Sequence, residues 1–503
     1  MSRANEVGDA TEGMRRGLPY AALSGLLQIP FALLSMLLLV RYLPPDEYGV
    51  WVVLIGFGGP LMLAISLGYN HAILRFVPSM KSSTERESFL WSVWAWRSVV
   101  IAAVLALMWA SFPWWAERFG LGSDRLLLTI LLPGYWAIGS NAYLQGALDA
   151  TFRQREVFWS FFVFQLAFVG GTVIGVWGGH ELEFFSWVYV TAAVIQAGLN
   201  FSSCVRYFGW PKSRVIIRRK AESVENRRYR LTSWLDDLGT MLLSSPVNRL
   251  LLAALGSSAE VAIYAVASNV VDRLLAWQPI QLFRPIASVS IFSRYEKTGK
   301  IEDVNRMFRF IYSVNRSVTM LFVVLFIPFG DRILVWVFRP EYANSYIPAC
   351  FLLLAAALFT APTGVIAQTL KRPRVLLWSK VAIIVNLGIG IPMALRYGAL
   401  GMAFAAALST LVKNLIIYGA LRLEFDLRFP WKTLLRYLGA TGFSILVILA
   451  LQRVLPWMAA TAIGALVYFF ALRLFSVMDE EDRHLLISIA PARIQRPLKW
   501  FLT

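Results

Sequence analysis

The chain has 503 residues, of which 58% are hydrophobic and only 16% are charged, and its mean hydropathy is +0.60. A soluble core could not bury that much apolar surface, so the composition excludes an ordinary soluble protein and predicts an all-α polytopic membrane protein. The net charge of +18 would suit a nucleic acid partner, but the placement of the basic residues argues against one.

Apolar stretches of about 20 residues, long enough to cross a hydrocarbon layer, recur from Tyr20 almost to the C-terminus. We predict about 14 transmembrane helices, at 20–43, 48–74, 90–116, 126–149, 157–179, 184–207, 232–255, 259–291, 308–338, 346–369, 375–396, 398–421, 433–452 and 455–476. The first is longer than the apolar part of a signal peptide and lacks a persuasive cleavage site, so we expect it to be retained as a span.

Lysine and arginine are concentrated in alternate loops, most densely in the polar stretch 206–233. The opposite loops hold only Arg41, Arg118, Arg125, Arg332, Arg339, Arg396 and Arg453. Because cytoplasmic loops carry the excess of basic residues, this asymmetry predicts cytoplasmic N- and C-termini, an even number of spans and contact with anionic membrane lipids.

The sequence contains a weak internal repeat at an offset of about 213 residues, which aligns "LLLVRYLPPDEYGVWVV" with "LLLAALGSSAEVAIYAV". Both stretches comprise a helix end, a short turn and a new helix. We therefore predict two pseudo-symmetric six-helix lobes with an appended pair of helices. The predicted parts are an N-terminal lobe at 1–208, a basic cytoplasmic linker at 209–231, a C-terminal lobe at 232–424, and two further helices with an interfacial cytoplasmic tail at 425–503.

The stretch "NVVDRLLAWQPIQLFRP" places charged residues inside a long apolar run. Its polar stripe, within about 80° on a helix, comprises Asn269, Arg273, Trp277 and Arg284, with the arginines about 16 Å apart along the axis. An arginine at a helix centre costs about 2.5–3.5 kcal/mol to insert, so we expect the stripe to face a wet cavity or a partner. The alternative is that Arg284 reaches the interface and Arg273 pairs with Asp272 or Asp237.

Further cations lie at comparable depth in other apolar runs. They are Arg97 in the third span, Arg316 at the matching place in the ninth, and Lys413, whose side chain could also reach the interface. The end of the second span, "LGYNHAILRFV", adds Asn70, His71 and Arg75. A lone histidine is usually structural, but the repeat aligns His71 with Arg284, which favours a functional role.

Acidic residues inside the apolar runs are scarcer than cations. Asp237, Asp272 and Asp149 are candidates for coupling to H⁺ or Na⁺, because a buried carboxylate titrates readily. Alternatively, the first two balance nearby arginines, or Asp237 only begins a helix. No catalytic motif, metal-ligand spacing or paired cysteine motif is present, so we predict a protein that is not an enzyme and that has no metal or cofactor.

The surplus of membrane-embedded cations predicts an anionic ligand, and phosphate or pyrophosphate fits arginine and lysine well. With this pattern the chain resembles the Wzx-type polysaccharide transporters, the oligosaccharide-lipid flippases of the multidrug/oligosaccharidyl-lipid/polysaccharide (MOP) exporter superfamily. The resemblance rests on "RYLPPDEYGVW", "LGYNHAILRFV" and "LGSSAEVAIYAVA" and extends over roughly residues 18–424. Arg75 matches the arginine with which the second span closes in that family.

The resemblance implies two lobes around a central cavity that opens to one side of the bacterial cytoplasmic membrane at a time. The implied cargo is a polyprenyl-pyrophosphate-linked oligosaccharide for O-antigen, capsule or exopolysaccharide assembly, and polysaccharide polymerases and chain-length proteins are implied partners. A cation-coupled multidrug exporter is the alternative within the superfamily. A membrane polysaccharide polymerase or ligase is less favoured, because it would need a long periplasmic loop rich in arginine and histidine.

Overall fold

The computed structural model describes residues 3–80, 82–122, 125–210, 224–279, 300–370 and 372–483. Every regular element in these ranges is a helix. The α-helices are α1 Arg3–Tyr42, α2 Pro45–Ser66, α3 Tyr69–Phe76, α4 Ser83–Ala110, α5 Phe112–Trp115, α6 Leu126–Ala150, α7 Gln154–Gly178, α8 Leu182–Phe208, α9 Val224–Leu242, α10 Ser245–Leu255, α11 Ser258–Ala276, α12 Ile301–Phe326, α13 Gly330–Val337, α14 Tyr346–Phe359, α15 Thr363–Thr369, α16 Pro373–Trp378, α17 Ala382–Phe425, α18 Trp431–Leu451 and α19 Trp457–Leu474. Short 3₁₀ helices form at Val77–Ser79, Glu117–Phe119, Pro340–Ser345 and Ser379–Val381.

Within the described residues, 10 helices are long and apolar enough to cross a membrane, or 11 if α9 and α10 count as one bent span. The prediction of many membrane-spanning helices is therefore confirmed, at a count of 10–11 candidates. Three features separate this count from the 14 predicted spans. Helix α6 is not among the candidates, since polar residues such as Asn141 lower its hydropathy. The predicted span 259–291 is only partly described. Two predicted spans lie in one helix, α17.

Two predicted spans are interrupted where the sequence contains a glycine or a proline. The span predicted at 48–74 ends as α2 at Ser66 and resumes as α3 at Tyr69. The span predicted at 232–255 bends by 54° between α9 and α10, where Pro246 occupies the first turn of α10. Proline lacks a backbone N–H and is favoured in a first helical turn, so it starts a new helix readily and continues an old one poorly.

Helix α17 has 44 residues, a summed helical rise of about 66 Å that a kink divides into two segments, whereas a hydrocarbon layer is about 30 Å thick. Its one non-helical residue is Gly398, with φ 54° and ψ −129°, a conformation open to glycine and strained for other residues. Gly398 lies at the predicted boundary between the spans 375–396 and 398–421. The kink therefore lies where the sequence predicts one crossing to end and the next to begin.

Residue contacts divide the chain into two compact units, Met1–Ala265 and Val266–Thr503. The first unit packs α6 against α8, α7 against α8 and α1 against α7. One of its apolar clusters joins α3, α4 and α6 around Trp91 and Tyr143, and another joins α2, α4 and α6 around Tyr135. The unit also contains α9 and α10. The predicted lobe boundaries at 208 and 232 were defined by the internal repeat of the sequence. The two units are defined by residue contacts, so they do not test those boundaries.

The second unit packs α14 against α17, α18 against α19, and both members of the latter pair against α12. An apolar cluster centred on Phe308 of α12 is completed by residues of α15 and α17. Tyr437 of α18 and Tyr468 of α19 are fully buried and donate to the carbonyl oxygens of Ser313 and Ser317 at 2.8 and 2.9 Å. The two C-terminal helices are therefore bonded directly to the backbone of α12.

Candidate functional site

The candidate site in the first unit is built on the interruption between α2 and α3. Leu67 and Gly68 both adopt positive φ, 47° and 78°, which ends α2 and starts α3 in a new direction. A Cβ at position 68 would lie 2.2 Å from the carbonyl oxygen of Arg230 in α9, so only glycine fits. The residue thus permits both the turn and the close approach of α9.

His71 and Asp237, which the sequence separates by 166 residues, form an ion pair. His71 Nε2 lies 2.7 Å from Asp237 Oδ2, and the two side chains are 38% and 30% exposed. The sequence singled out His71 as a ligand contact and Asp237 as an ion-coupling candidate, and the structure joins them. Because both side chains remain partly exposed, water or a ligand can reach the pair.

Asn70 and Arg97 form a second polar contact, in which the arginine is buried. Arg97 is 2% exposed; its Nη1 donates to Asn70 Oδ1 at 2.8 Å and its Nη2 to the carbonyl oxygen of Gly139 at 3.4 Å. Its guanidinium also lies 5.0 Å from the ring centroid of Tyr143. These neighbours are amide and carbonyl dipoles and an aromatic face. The arrangement fixes α3 to α4 and α6, and little of Arg97 remains open to a ligand.

Arg75 is exposed, one turn beyond His71, and its guanidinium lies 4.0 Å from the ring centroid of Tyr229 in α9. Two further residues of α9 bind the end of α2, and sequence reasoning missed both. Arg230 donates to the carbonyl oxygen of Leu67 at 2.6 Å, and Trp234 lies within bonding distance of the last turn of α2. Arg230, Trp234 and Asp237 are spaced i, i+4 and i+7, which places them on one face of a helix, and this spacing could have identified them from the sequence.

In the second unit, Arg316 of α12 is 3% exposed. It donates to the carbonyl oxygens of Ala356 and Thr360 at 3.3 and 2.8 Å, and its guanidinium lies 4.5 Å from the ring centroid of Tyr312. Because α14 ends at Phe359, its last carbonyls need donors from outside the helix. Arg316 therefore caps the C-terminus of α14, where the helix dipole favours a cation.

The other predicted contacts of the second unit lie on two helices. Asn269 and Arg273 are half-buried in α11, Asp272 is exposed there, and Trp277, just beyond its end, is 42% exposed. Lys413 is half-buried in α17, within electrostatic reach of Lys380. Arg284 lies outside the described residues.

Asp149, the remaining acidic candidate, is exposed in the last turn of α6. Among the residues with described positions, no group of three or more histidine, cysteine, aspartate or glutamate side chains could hold a metal ion. The acidic candidates are thus dispersed over three helices, α6, α9 and α11. Asp237 forms an ion pair with His71, a residue that the sequence also singled out.

The sequence profile of the family described as "Polysaccharide biosynthesis protein" matches residues 14–277, slightly more than half of the chain. No curated protein matches the chain significantly. The profile covers α2, α3 and α9, which carry the partly exposed His71–Asp237 pair.

Solved structures share the fold over most of the chain. The lipid II flippase MurJ in its inward closed conformation aligns with a TM-score of 0.69 at 16% identity, covering 93% of this chain and 99% of that one. An inward-facing multidrug resistance MATE family transporter of the MOP superfamily aligns with a TM-score of 0.63 at 14% identity, covering 80% and 98%. A MOP superfamily transporter from Pyrococcus furiosus aligns with a TM-score of 0.59 at 13% identity, covering 82% and 95%.

Identities this low establish the fold alone, while the profile establishes the family. Together they confirm the prediction of a multi-pass membrane protein with the MOP superfamily fold and the prediction of a polysaccharide-related family. The chain belongs to the polysaccharide biosynthesis protein family and has the fold shared by the MOP superfamily structures.

Proposed function

We propose that the protein is a flippase that moves a polyprenyl-pyrophosphate-linked oligosaccharide from the cytoplasmic to the periplasmic leaflet of a bacterial cytoplasmic membrane. The repeat unit would serve O-antigen, capsule or exopolysaccharide assembly, with polymerase and chain-length proteins as partners. Transport proceeds by alternating access between two six-helix lobes around a central cavity. The family match and the fold shared with a protein named as a lipid II flippase support this proposal.

The observation that carries the proposal is the presence of accessible cations on apolar helices. His71 and Arg75 are partly exposed on α3, Arg273 is half-buried in α11, and Lys413 is half-buried in α17. Arginine, lysine and protonated histidine donate charge-assisted hydrogen bonds to phosphate oxygens, so these residues suit a pyrophosphate group. Asn70, Asn269 and Trp277 lie beside them and would contact the sugar or phosphate.

The two buried arginines receive a different role in this proposal. Arg97 and Arg316 are 2% and 3% exposed, and each donates to a backbone carbonyl oxygen of the next long helix, α6 and α14 respectively. We assign them to holding helices in place, away from the cargo. Arg284 keeps its proposed role as a ligand contact from the sequence alone.

The ion gradient would be H⁺ or Na⁺, and Asp237 is the favoured coupling residue over Asp149 and Asp272. Its ion pair with His71 places it beside the proposed phosphate contacts. A carboxylate in that position senses both a cation and an anionic cargo, because each changes the charge that it faces.

The test is the leaflet distribution of lipid-linked oligosaccharide after deletion of the gene. We expect the carrier-linked sugar to accumulate on the cytoplasmic leaflet and wild-type protein to relieve the accumulation. Arg273→Ala should fail to relieve it at normal protein level, and Arg273→Lys should relieve it in part. Arg396→Ala, which removes an exposed arginine of α17, is the matched control and should behave as wild type.

Unchanged carrier-linked sugar in the deletion strain would contradict the proposal. If that strain instead became sensitive to drugs, the protein would be a multidrug exporter, a function that the shared fold with a MATE family transporter also supports. If Arg273→Ala lowered the amount of folded protein but left transport per molecule normal, Arg273 would have a structural role as a member of an ion pair.

A further inference from the structure

The interruption between α2 and α3 releases backbone carbonyls that α9 takes up. A helix that ends inside a span leaves its last carbonyl groups without intrahelical donors, which is costly where water is scarce. Arg230 donates to the carbonyl oxygen of Leu67 at 2.6 Å, and Trp234 Nε1 to those of Leu63 and Ala64 at 3.3 and 3.1 Å. The conformation of the interruption thus depends on the position of α9.

The same helix engages both cations of α3. Asp237 pairs with His71 at 2.7 Å, and the ring of Tyr229 lies 4.0 Å below the guanidinium of Arg75. His71 and Arg75 stand at i and i+4, on one face of α3, where a single phosphate could bridge them. Each of these two groups already has a partner from α9.

The other side of α3 is held differently. Arg97, 2% exposed, donates to Asn70, and the ring of Tyr69 packs in the apolar cluster of α3, α4 and α6. Arg97 is thus enclosed by protein, whereas the His71 and Asp237 side chains are 38% and 30% exposed. An anion can therefore compete for the α9 side of α3 while the α4 side stays closed.

We propose that α9 occupies a phosphate site on α3, formed by His71 and Arg75, and that an anionic ligand displaces it. Carboxylate and phosphate compete for the same donor of His71, so ligand binding and the α9 contact exclude each other. When α9 leaves, Arg230 and Trp234 withdraw from the carbonyls of α2 and the interruption becomes free to change its angle. Arg230 and Trp234 are positioning residues, and ligand binding is coupled to the bend of the second span. The role in transport rests on the proposed function, whereas the contact itself does not.

Hydrogen exchange measured by mass spectrometry on the full chain in detergent tests this proposal. Asp237→Asn and Trp234→Phe should each accelerate exchange in peptides covering 67–76 and 226–242, on the order of tenfold. The first substitution removes the negative charge that pairs with His71, and the second removes the indole donor to the carbonyls of α2. Trp109→Phe, which removes an indole bond to Thr129 elsewhere in the unit, should leave those peptides unchanged. The exchanged pair His71→Asp with Asp237→His should restore the wild-type rate.

Inorganic pyrophosphate is the ligand probe. It should accelerate exchange in the same peptides of the wild type and have no effect on the His71→Asp, Asp237→His protein, which lacks the imidazole on α3. If exchange accelerated over the whole first unit, the cause would be general unfolding and the proposal would be overturned. It would also be overturned if pyrophosphate left the exchange rate of the wild-type peptides unchanged. The exchange experiment uses no lipid-linked sugar, so its outcome is independent of the leaflet assay. If the leaflet assay failed but pyrophosphate still accelerated exchange, the flippase function would be rejected and the phosphate site would be retained.

Discussion

Arg316 donates to the carbonyl oxygen of Thr360 at 2.8 Å, immediately after the end of α14. Arg316→Ala would leave this carbonyl and that of Ala356 without the guanidinium and would open a cavity, so we expect a loss of roughly 2–4 kcal/mol in stability. Arg316→Lys should restore little, since an ammonium lacks the planar fork that reaches two acceptors. Thermal unfolding in detergent measures both variants.

The matched control for Arg316 is Arg306→Ala on the same helix. Arg306 is 48% exposed and lies 3.6 Å from Glu481, so its loss should cost less than about 1 kcal/mol. If Arg316→Ala were as stable as this control but inactive in the leaflet assay, Arg316 would belong to the ligand site.

The C-terminal helices α18 and α19 should stabilise the protein through their hydrogen bonds to α12. Tyr437→Phe and Tyr468→Phe each remove a buried hydroxyl that donates to the α12 backbone, at an expected cost of about 1 kcal/mol each. The double variant should lower the thermal midpoint further than either single one. Tyr397→Phe, whose side chain is 47% exposed, provides the control, and equal midpoints for all variants would contradict the assignment.

Gly401 should tolerate no side chain, because the kink at Gly398 folds the helix back on itself. A Cβ at position 401 would lie 2.0 Å from the carbonyl oxygen of Met393, so Gly401→Ala must shift backbone. We expect a clear fall in the thermal midpoint. Gly419→Ala in the same helix meets nothing within 4 Å and should be neutral or slightly stabilising. Similar midpoints for the two variants would mean that the kink absorbs the extra atom.

Asp482 should make stability depend on pH. The residue is 2% exposed after α19, and burial raises the pKa of its carboxyl above the ordinary value against the opposing effect of Arg309. The folded state then binds a proton more readily than the unfolded chain, so stability rises as the pH falls through the interval above the ordinary value of about 4. Wild type should therefore gain more thermal stability than Asp482→Asn between about pH 7 and about pH 5. An identical change in both proteins would refute this assignment.

Hydropathy was enough to predict a helical membrane protein, and motif order was enough to predict the family. Neither could show the interruption at Leu67 and Gly68, because an apolar window averages over two residues that change direction. The partners of Arg316 were equally hidden, since backbone carbonyls have no sequence signature. His71 and Asp237 were both recognised as candidates from charge inside apolar runs, but their pairing required the approach of α9 to Gly68.

The kink at Gly398 affects how the topology of this protein can be mapped. The two crossings predicted for α17 would follow one another without an intervening loop, so a protease that needs locally unfolded chain finds no substrate there. A map based on cleavage or on inserted reporters would count one crossing too few and would assign every later segment to the wrong side. Labelling of single cysteines placed beside exposed Arg396 and Tyr397 would avoid that inversion.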